Sequence, residues 1–312
     1  MPNENIDILV EHITHSYGTQ TALNDICFEL SGHNIVGLLG ANGAGKSTLM
    51  NIICGVLTPT AGSVHINGHS LSASPVEAKQ QIGFLPQKPP LLLDLTIEEY
   101  LRYAARLRKV RDVRRSVEYA MERCGITHFR KRLIKNLSGG YQQRVGIAQA
   151  IIHKPSFIVL DEPTNGLDPS QIIEIRHLIE DIASGCMVML STHILHEVQI
   201  SCRQIIMISH GNMVFNGPIK DFNGIIKPTS ILLSANNFPP LERINLIPGV
   251  IASETVEGKP GTVKVTFGGN ADEVCGSLIQ TAVNEGWQLH EIIKEIPSAD
   301  DIFKYLSNSP AI

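Results

Sequence analysis

The sequence predicts an α/β chain of two domains, a large one over residues 1–225 built on a parallel sheet and a small α+β one over 226–312. Three observations predict this. Short apolar runs alternate with helical stretches through the first two thirds of the chain, the pattern of a sheet covered on both faces. Two of those runs, Ile35–Leu39 and Phe157–Leu160, stop abruptly at Gly40 and at Asp161-Glu162. From about Lys227 the texture changes, with Pro228 and then shorter strand-like segments. A length of 312 residues also suits one large and one small domain.

Taken in order, residues 8–17 are rich in β-branched and aromatic residues and read as a strand, as does Ile35–Leu39. Ser47–Cys54 reads as a helix closed by Gly55 and Pro59. Ser63–Asn67 and Ile82–Leu85 are further strands, and Ile97–Arg108 and Val113–Cys124 have helical spacing. A helix over Gln171–Ala183 separates the strand Phe157–Leu160 from the strand Met187–Leu190. Beyond 226, Ile231–Ser234 and Val263–Phe267 are strand-like and Ala271–Glu285 is amphipathic. The spacing of Ile302, Phe303 and Leu306 within Ala299–Leu306 suits a docked terminal helix.

Composition narrows the functional classes. Hydrophobic residues at 43% and charged ones at 18% describe a globular protein slightly apolar for its class, so part of its surface is expected to be an interface. No apolar run approaches the roughly 18 residues that a bilayer demands, and Met1–Val10 lacks the pattern of a secretory signal, which predicts a cytoplasmic chain. The six cysteines are scattered without paired spacing, so neither a zinc site nor a disulfide framework is indicated. Residues 102–135 carry 12 of the 26 Lys and Arg residues against Asp112, Glu118 and Glu122. That segment is either a pair of solvated helix faces or a surface turned to anionic headgroups or an acidic partner.

The chemistry begins at Gly40-Ala41-Asn42-Gly43-Ala44-Gly45-Lys46-Ser47-Thr48. A glycine-rich turn between a strand and a helix lets backbone N–H groups surround phosphate oxygens, with Lys46 as a point charge on the β- and γ-phosphates and Ser47 as a hydroxyl for Mg²⁺. By average residue usage this spacing arises by accident in about one chain of this length in a hundred. Asp161 and Glu162, ending an apolar strand, supply a carboxylate for Mg²⁺ and one that can polarise the water attacking the γ-phosphorus. A third element is Leu137-Ser138-Gly139-Gly140-Tyr141-Gln142-Gln143-Arg144, a second glycine loop opening a helix.

With these three motifs in this order, the chain resembles the ATP-binding cassette family over about residues 6–225. The resemblance implies a P-loop ATPase core with a parallel sheet, an antiparallel β subdomain and a helical subdomain inserted over about 88–155. It further implies an ATPase using ATP and Mg²⁺ in which Ser138, Gly139 and Gly140 of one chain close on the γ-phosphate held by Gly40, Asn42, Gly43, Gly45, Lys46, Ser47 and Thr48 of another. Tyr17 matches the aromatic that stacks on adenine. Gln87, in Leu85-Pro86-Gln87, matches a glutamine that touches Mg²⁺ alongside Ser47 and Asp161. His193 matches the histidine at the γ-phosphate, and Asn165-Gly166-Leu167-Asp168 matches a loop crossing the dimer interface. Two positions depart from the family pattern, Ala41 where proline is frequent and Tyr141 where glutamine or glycine is frequent; neither side chain has phosphate work to do.

Within that family the chain is most similar to ATP-binding subunits of the second class of bacterial ABC exporters, on Leu85-Pro86-Gln87, Leu95–Leu101 and the tail Ser298–Phe303. This implies a homodimer seated under a separate polytopic membrane subunit at the inner face of the membrane, with no nucleic-acid partner. The segment from Gln87 to about Arg108 would receive the membrane subunit. Two other readings stay open at this point: a mechanoenzyme acting on ribosomes or DNA, and an ATP sensor without turnover. The cargo is not legible.

Overall fold

The computed structural model describes residues 7–225, 228, 230–256 and 258–295. The chain divides into two units between Ile219 and Lys220, ahead of the change in texture near 226, because most of the helix Ile219–Ile225 goes with the second unit. The expected helix over Ala299–Leu306 and the tail Ser298–Phe303 lie outside the described residues.

The first unit opens with β1 (Asp7–Tyr17), β2 (Gln20–Ser31), β3 (Ile35–Leu39) and α1 (Lys46–Ile53). It continues through β4 (Ala61–Ile66), β5 (His69–Ser70), α2 (Pro75–Gln80) and β6 (Ile82–Leu85). Three helices follow, α3 (Ile97–Leu107), α4 (Val113–Arg123) and α5 (Gly139–Ile151), and they pack on one another as the expected helical subdomain. α3 starts where it does because Thr96 and Glu99 form a reciprocal cap, each side chain holding the other's backbone N–H. Then come β7 (Phe157–Asp161), α6 (Pro169–Ala183), β8 (Met187–Thr192), α7 (Leu195–Ser201), β9 (Gln204–Ser209) and β10 (Asn212–Pro218).

These strands make two sheets, an antiparallel one in the order β2-β1-β4-β5 and a six-stranded one in the order β10-β9-β3-β8-β7-β6. In the second, β9, β3, β8, β7 and β6 run parallel, and only β10 is antiparallel. Every residue of β3, β7 and β8 is buried, as continuous apolar runs covered on both faces must be. One core joins both sheets through α1, with Ile8, Ile26 and Phe28 packed in the same cluster as Leu38, Leu49 and Val159.

β2 is a strand that the sequence does not announce. Asn24-Asp25 looks like a turn, yet Asp25 sits inside the strand at φ 51, and this bulge lets Leu23 and Ile26, three apart, both face the core.

The second unit holds α8 (Ile219–Ile225), β11 (Ser230–Ala235), α9 (Leu241–Ile244), β12 (Val250–Thr255), β13 (Thr262–Phe267), α10 (Ala271–Glu285) and β14 (Leu289–Glu295). Its sheet is antiparallel in the order β12-β13-β11-β14, and Ile231, Leu233, Val265, Leu278 and Trp287 form its core. Among the described residues no helix is long and apolar enough to cross a membrane.

Candidate nucleotide site

The parallel register decides where the motifs go. β3 lies between β9 and β8, with Leu39 opposite Thr192, and β8 lies between β3 and β7, with Ser191 opposite Asp161. The loops leaving β3, β7 and β8 therefore emerge side by side at the carboxyl edge of the sheet, the place where open α/β sheets bind ligands. Residues that are more than a hundred positions apart in sequence become neighbours.

The loop after β3 wraps the start of α1. Gly45 takes φ 113, and a Cβ there would stand 2.7 Å from the Ala22 carbonyl oxygen, so only glycine fits against β2. Lys46 is buried and folds back, donating from Nζ to the carbonyl oxygens of Gly40 at 2.8 Å and Ala41 at 3.2 Å. Burial pushes its ammonium below the usual lysine range, while the negative charges of Glu162 and Asp161 pull it back up. A desolvated cation beside open backbone N–H groups is suited to an anion.

Across from it, buried Asp161 accepts from Ser191 Oγ at 2.5 Å, and the same Ser191 oxygen receives the Glu162 N–H at 2.9 Å. Glu162 stands at φ 48, a left-handed conformation costing a non-glycine residue roughly 1–2 kcal/mol. Its carboxylate accepts from three side chains: Gln87 Nε2 at 2.9 Å and Asn165 Nδ2 at 3.1 Å on Oε2, and His193 Nδ1 at 3.2 Å on Oε1. With Nε2 engaged, Gln87 keeps Oε1 for a cation, and His193 keeps Nε2 for a ligand.

Together these side chains line an open cleft of about 820 Å³ that takes in Tyr17, Asn42, Gly43, Gly45, Lys46, Ser47, Thr48, Gln87, Glu162 and His193. Tyr17 is half exposed at the end of β1, its ring edge-on to His15 at 4.7 Å between centroids. Gly40 and Asp161 lie behind the lining, as the acceptor for Lys46 and the partner of Ser191.

Ser138, Gly139 and Gly140 are not among the residues lining the cleft. Ser138 is the exposed N-cap of α5, its side chain makes no capping bond, and Gly139 beside it is exposed. Gly140 is buried against Gln171, whose side chain lies 2.7 Å from where a Cβ would be.

The structure adds residues that motif reading passed over. Gln20, Thr21 and Ala22 of β2, and His210 and Gly211 after β9, also line the cleft. Buried Glu197 accepts from Thr192 Oγ1 at 2.9 Å and Thr164 Oγ1 at 3.1 Å, tying the loop after β7 to the end of β8. The sequence signal for Ser191 and Glu197 was limited to their places beside His193.

A strand–loop–helix phosphate cradle, a histidine following the neighbouring strand β8 and two acids at the end of the next strand, β7, define a nucleoside triphosphatase of the P-loop class. A family model described as ABC transporter matches residues 23–165. The chain is similar to the lantibiotic transport ATP-binding protein of Streptococcus pyogenes, 33% identical over 216 residues, covering 69% of this chain and 91% of the relative. It is also similar to the bacitracin transport ATP-binding protein of Bacillus licheniformis, 33% identical over 204 residues, covering 65% and 66% of the two chains. Among solved structures it matches a dimeric post-hydrolysis state of an ATP-binding cassette bound to ADP and Pi, at TM-score 0.62 and 25% identity, covering 68% of this chain and 98% of that one. The chain belongs to the ABC transporter ATP-binding proteins, and it is an ATP-binding, ATP-hydrolysing subunit of that family.

Proposed function

We propose that this subunit powers an exporter as a pair of identical copies, each completing the other's ATP site, beneath a separate membrane protein that places the pair at the inner face of the membrane. The observation that carries the reading is the divided site. The cleft around Lys46 is open, whereas Ser138 and Gly139 stand exposed at the start of α5 and outside that cleft, offering a helix N-terminus to a phosphate bound elsewhere. The relatives named for lantibiotic and bacitracin transport support the exporter reading.

In this reading Lys46 and the loop amides hold the triphosphate, Tyr17 stacks on the base, and Glu162 takes the proton of the attacking water while His193 orients it. Ser47 Oγ, Asp161 and Gln87 Oε1 form an all-oxygen donor set, the kind a hard cation prefers, and these residues would hold Mg²⁺. That ion, when bound, neutralises charge developing between the β- and γ-phosphates. Gln87 and Asn165 occupy Oε2 of Glu162 and His193 alone occupies Oε1, so Oε1 keeps a lone pair for a water proton.

The segment from Gln87 to Arg108 exposes Leu92, Leu93, Tyr103 and Leu107, apolar side chains suited to a partner protein. Arg108, Lys109, Arg111, Arg115 and Lys154 line a separate basic hollow of about 560 Å³, suited to acidic groups on that partner or on lipid headgroups.

Mixing two inactive chains tests the shared site. A Lys46→Ala chain and a Ser138→Arg chain should each fail to hydrolyse ATP alone, and an equimolar mixture should regain activity from mixed pairs with one intact site. Absence of recovery, with pairing verified by size, overturns the reading.

A further inference from the structure

We propose that His12, Asp25 and Cys27 form a surface site for one thiophilic divalent cation of the zinc class, on the antiparallel sheet and separate from the nucleotide cleft. His12 Nδ1 lies 2.7 Å from Asp25 Oδ1 and 3.4 Å from Cys27 Sγ, and that sulfur is 4.0 Å from Asp25 Oδ1. Among the described residues this is the group of three His, Cys, Asp or Glu side chains whose donor atoms come together closely enough for a metal ion.

Two opposed bulges build it. Between the pairs Val10↔Phe28 and Ile13↔Ile26, Glu11 and His12 of β1 face the single residue Cys27 of β2. Between Ile13↔Ile26 and His15↔Leu23, Asn24 and Asp25 of β2 face the single residue Thr14. His12 and Asp25 both take left-handed φ values, 49 and 51, which no β-strand requires of them. β4 accommodates the first bulge with Gly62, where a Cβ would stand 2.4 Å from the carbonyl oxygens of Glu11 and His12.

The geometry separates a metal site from a nucleophile relay. A Cys–His–Asp relay uses the two ring nitrogens for the two partners, whereas here Asp25 and Cys27 both approach Nδ1. Convergence on one point is what a shared cation demands. Bond lengths of about 2.0–2.3 Å in a tetrahedral site set donors about 3.3–3.6 Å apart, so each of the three separations is within about 1 Å of that spacing. The side chains of His12 and Asp25 are 77% and 65% exposed, free to make that adjustment and to leave a fourth position for water. One nitrogen, one sulfur and one oxygen select zinc, cobalt or copper over magnesium or calcium.

A bound cation would tie β1 to β2 on the way to the turn that carries Tyr17 and Gln20, stabilising the native state by mass action. The four buried thiols offer little competition: burial pushes Cys124, Cys186 and Cys202 up to about 12 and Cys54 upward as well, which keeps them protonated.

The test uses the full chain without nucleotide, with Zn²⁺ and Co²⁺ as probes. Co²⁺ should give a thiolate-to-cobalt absorption saturating at one ion per chain, abolished by Cys27→Ser, kept in Cys275→Ser and displaced by Zn²⁺. Asp25→Asn should weaken Zn²⁺ binding at least about tenfold. In the unaltered chain, saturating Zn²⁺ should slow alkylation of Cys27 at least about tenfold, a readout that depends on no variant folding. No cobalt–thiolate absorption, an absorption that survives Cys27→Ser, or unchanged alkylation overturns the proposal.

Discussion

Replacing Ser191 by alanine should damage stability and catalysis together, through a single oxygen atom. Ser191 is fully buried, donates to the Asp161 carboxylate at 2.5 Å and receives the Glu162 N–H at 2.9 Å. Losing a hydrogen bond to a charged group costs about 1.5–3 kcal/mol, and leaving a buried backbone N–H unpaired costs about 1–3 kcal/mol more. The strain at Glu162, φ 48, persists only because its surroundings impose it, so part of the loss is returned as that residue relaxes. A net cost of about 3 kcal/mol follows, and for a unit of this size each kcal/mol moves the melting temperature by about 2–4 °C. Thermal unfolding followed by circular dichroism should therefore fall by about 10 °C. Phosphate release, measured well below the transition, should drop at least about tenfold because Glu162 no longer points where the water must be. A shift under about 2 °C, or full turnover in a destabilised variant, would refute the chain of reasoning from Ser191 to Glu162.

Glu162→Gln should lower turnover by about 10²–10⁴-fold while ATP binding and melting temperature stay near the parent values, checked by phosphate release, nucleotide titration and thermal unfolding. Gly45→Ala should cost at least about 2 kcal/mol and abolish ATP binding, since it combines φ 113 with a Cβ 2.7 Å from a backbone oxygen. Gly43→Ala, at φ 82 with nothing within 4 Å, should be milder at about 1 kcal/mol; equal effects in a denaturant titration would contradict this. His153 is held neutral, with burial and the nearby Arg108 charge pushing its pKa down from 6.5 to about 4 against a raising bond to the Ile82 carbonyl. The unfolded chain then binds the extra proton, so stability is lost as pH falls from about 6.5 toward 4, by about 2 kcal/mol at pH 5. His153→Gln should flatten that part of the stability profile, and an unchanged slope in urea titrations would count against it.

Most elements of the first unit were legible because their patterns are local. β3, β7 and β8 are apolar runs on which both faces must be covered, and α3 carries its own start signal at Thr96 and Glu99. The phosphate loop is equally local, since glycine spacing between strand and helix is a property of eight consecutive residues. β2 escaped because Asn24-Asp25 imitates a turn, and the edge strands of both units carry alternation too weak to stand out.

The sequence by itself determined which residues can do the chemistry: a cradle at Gly40–Ser47, acids at Asp161 and Glu162, a histidine at 193 and a second glycine loop at Ser138. Only the tertiary structure decided which of them meet. Strand order put Thr192 beside Leu39 and Ser191 beside Asp161, and it left Ser138 outside the cleft of its own chain. Cysteine spacing likewise gave no hint of a metal site, since His12, Asp25 and Cys27 are brought together by two bulges across a strand pair. The physical reason is common to all three cases. Residue type and local spacing are carried by short-range sterics and hydrogen bonding, whereas proximity across a sheet depends on strand order and register, set by the burial of the whole core.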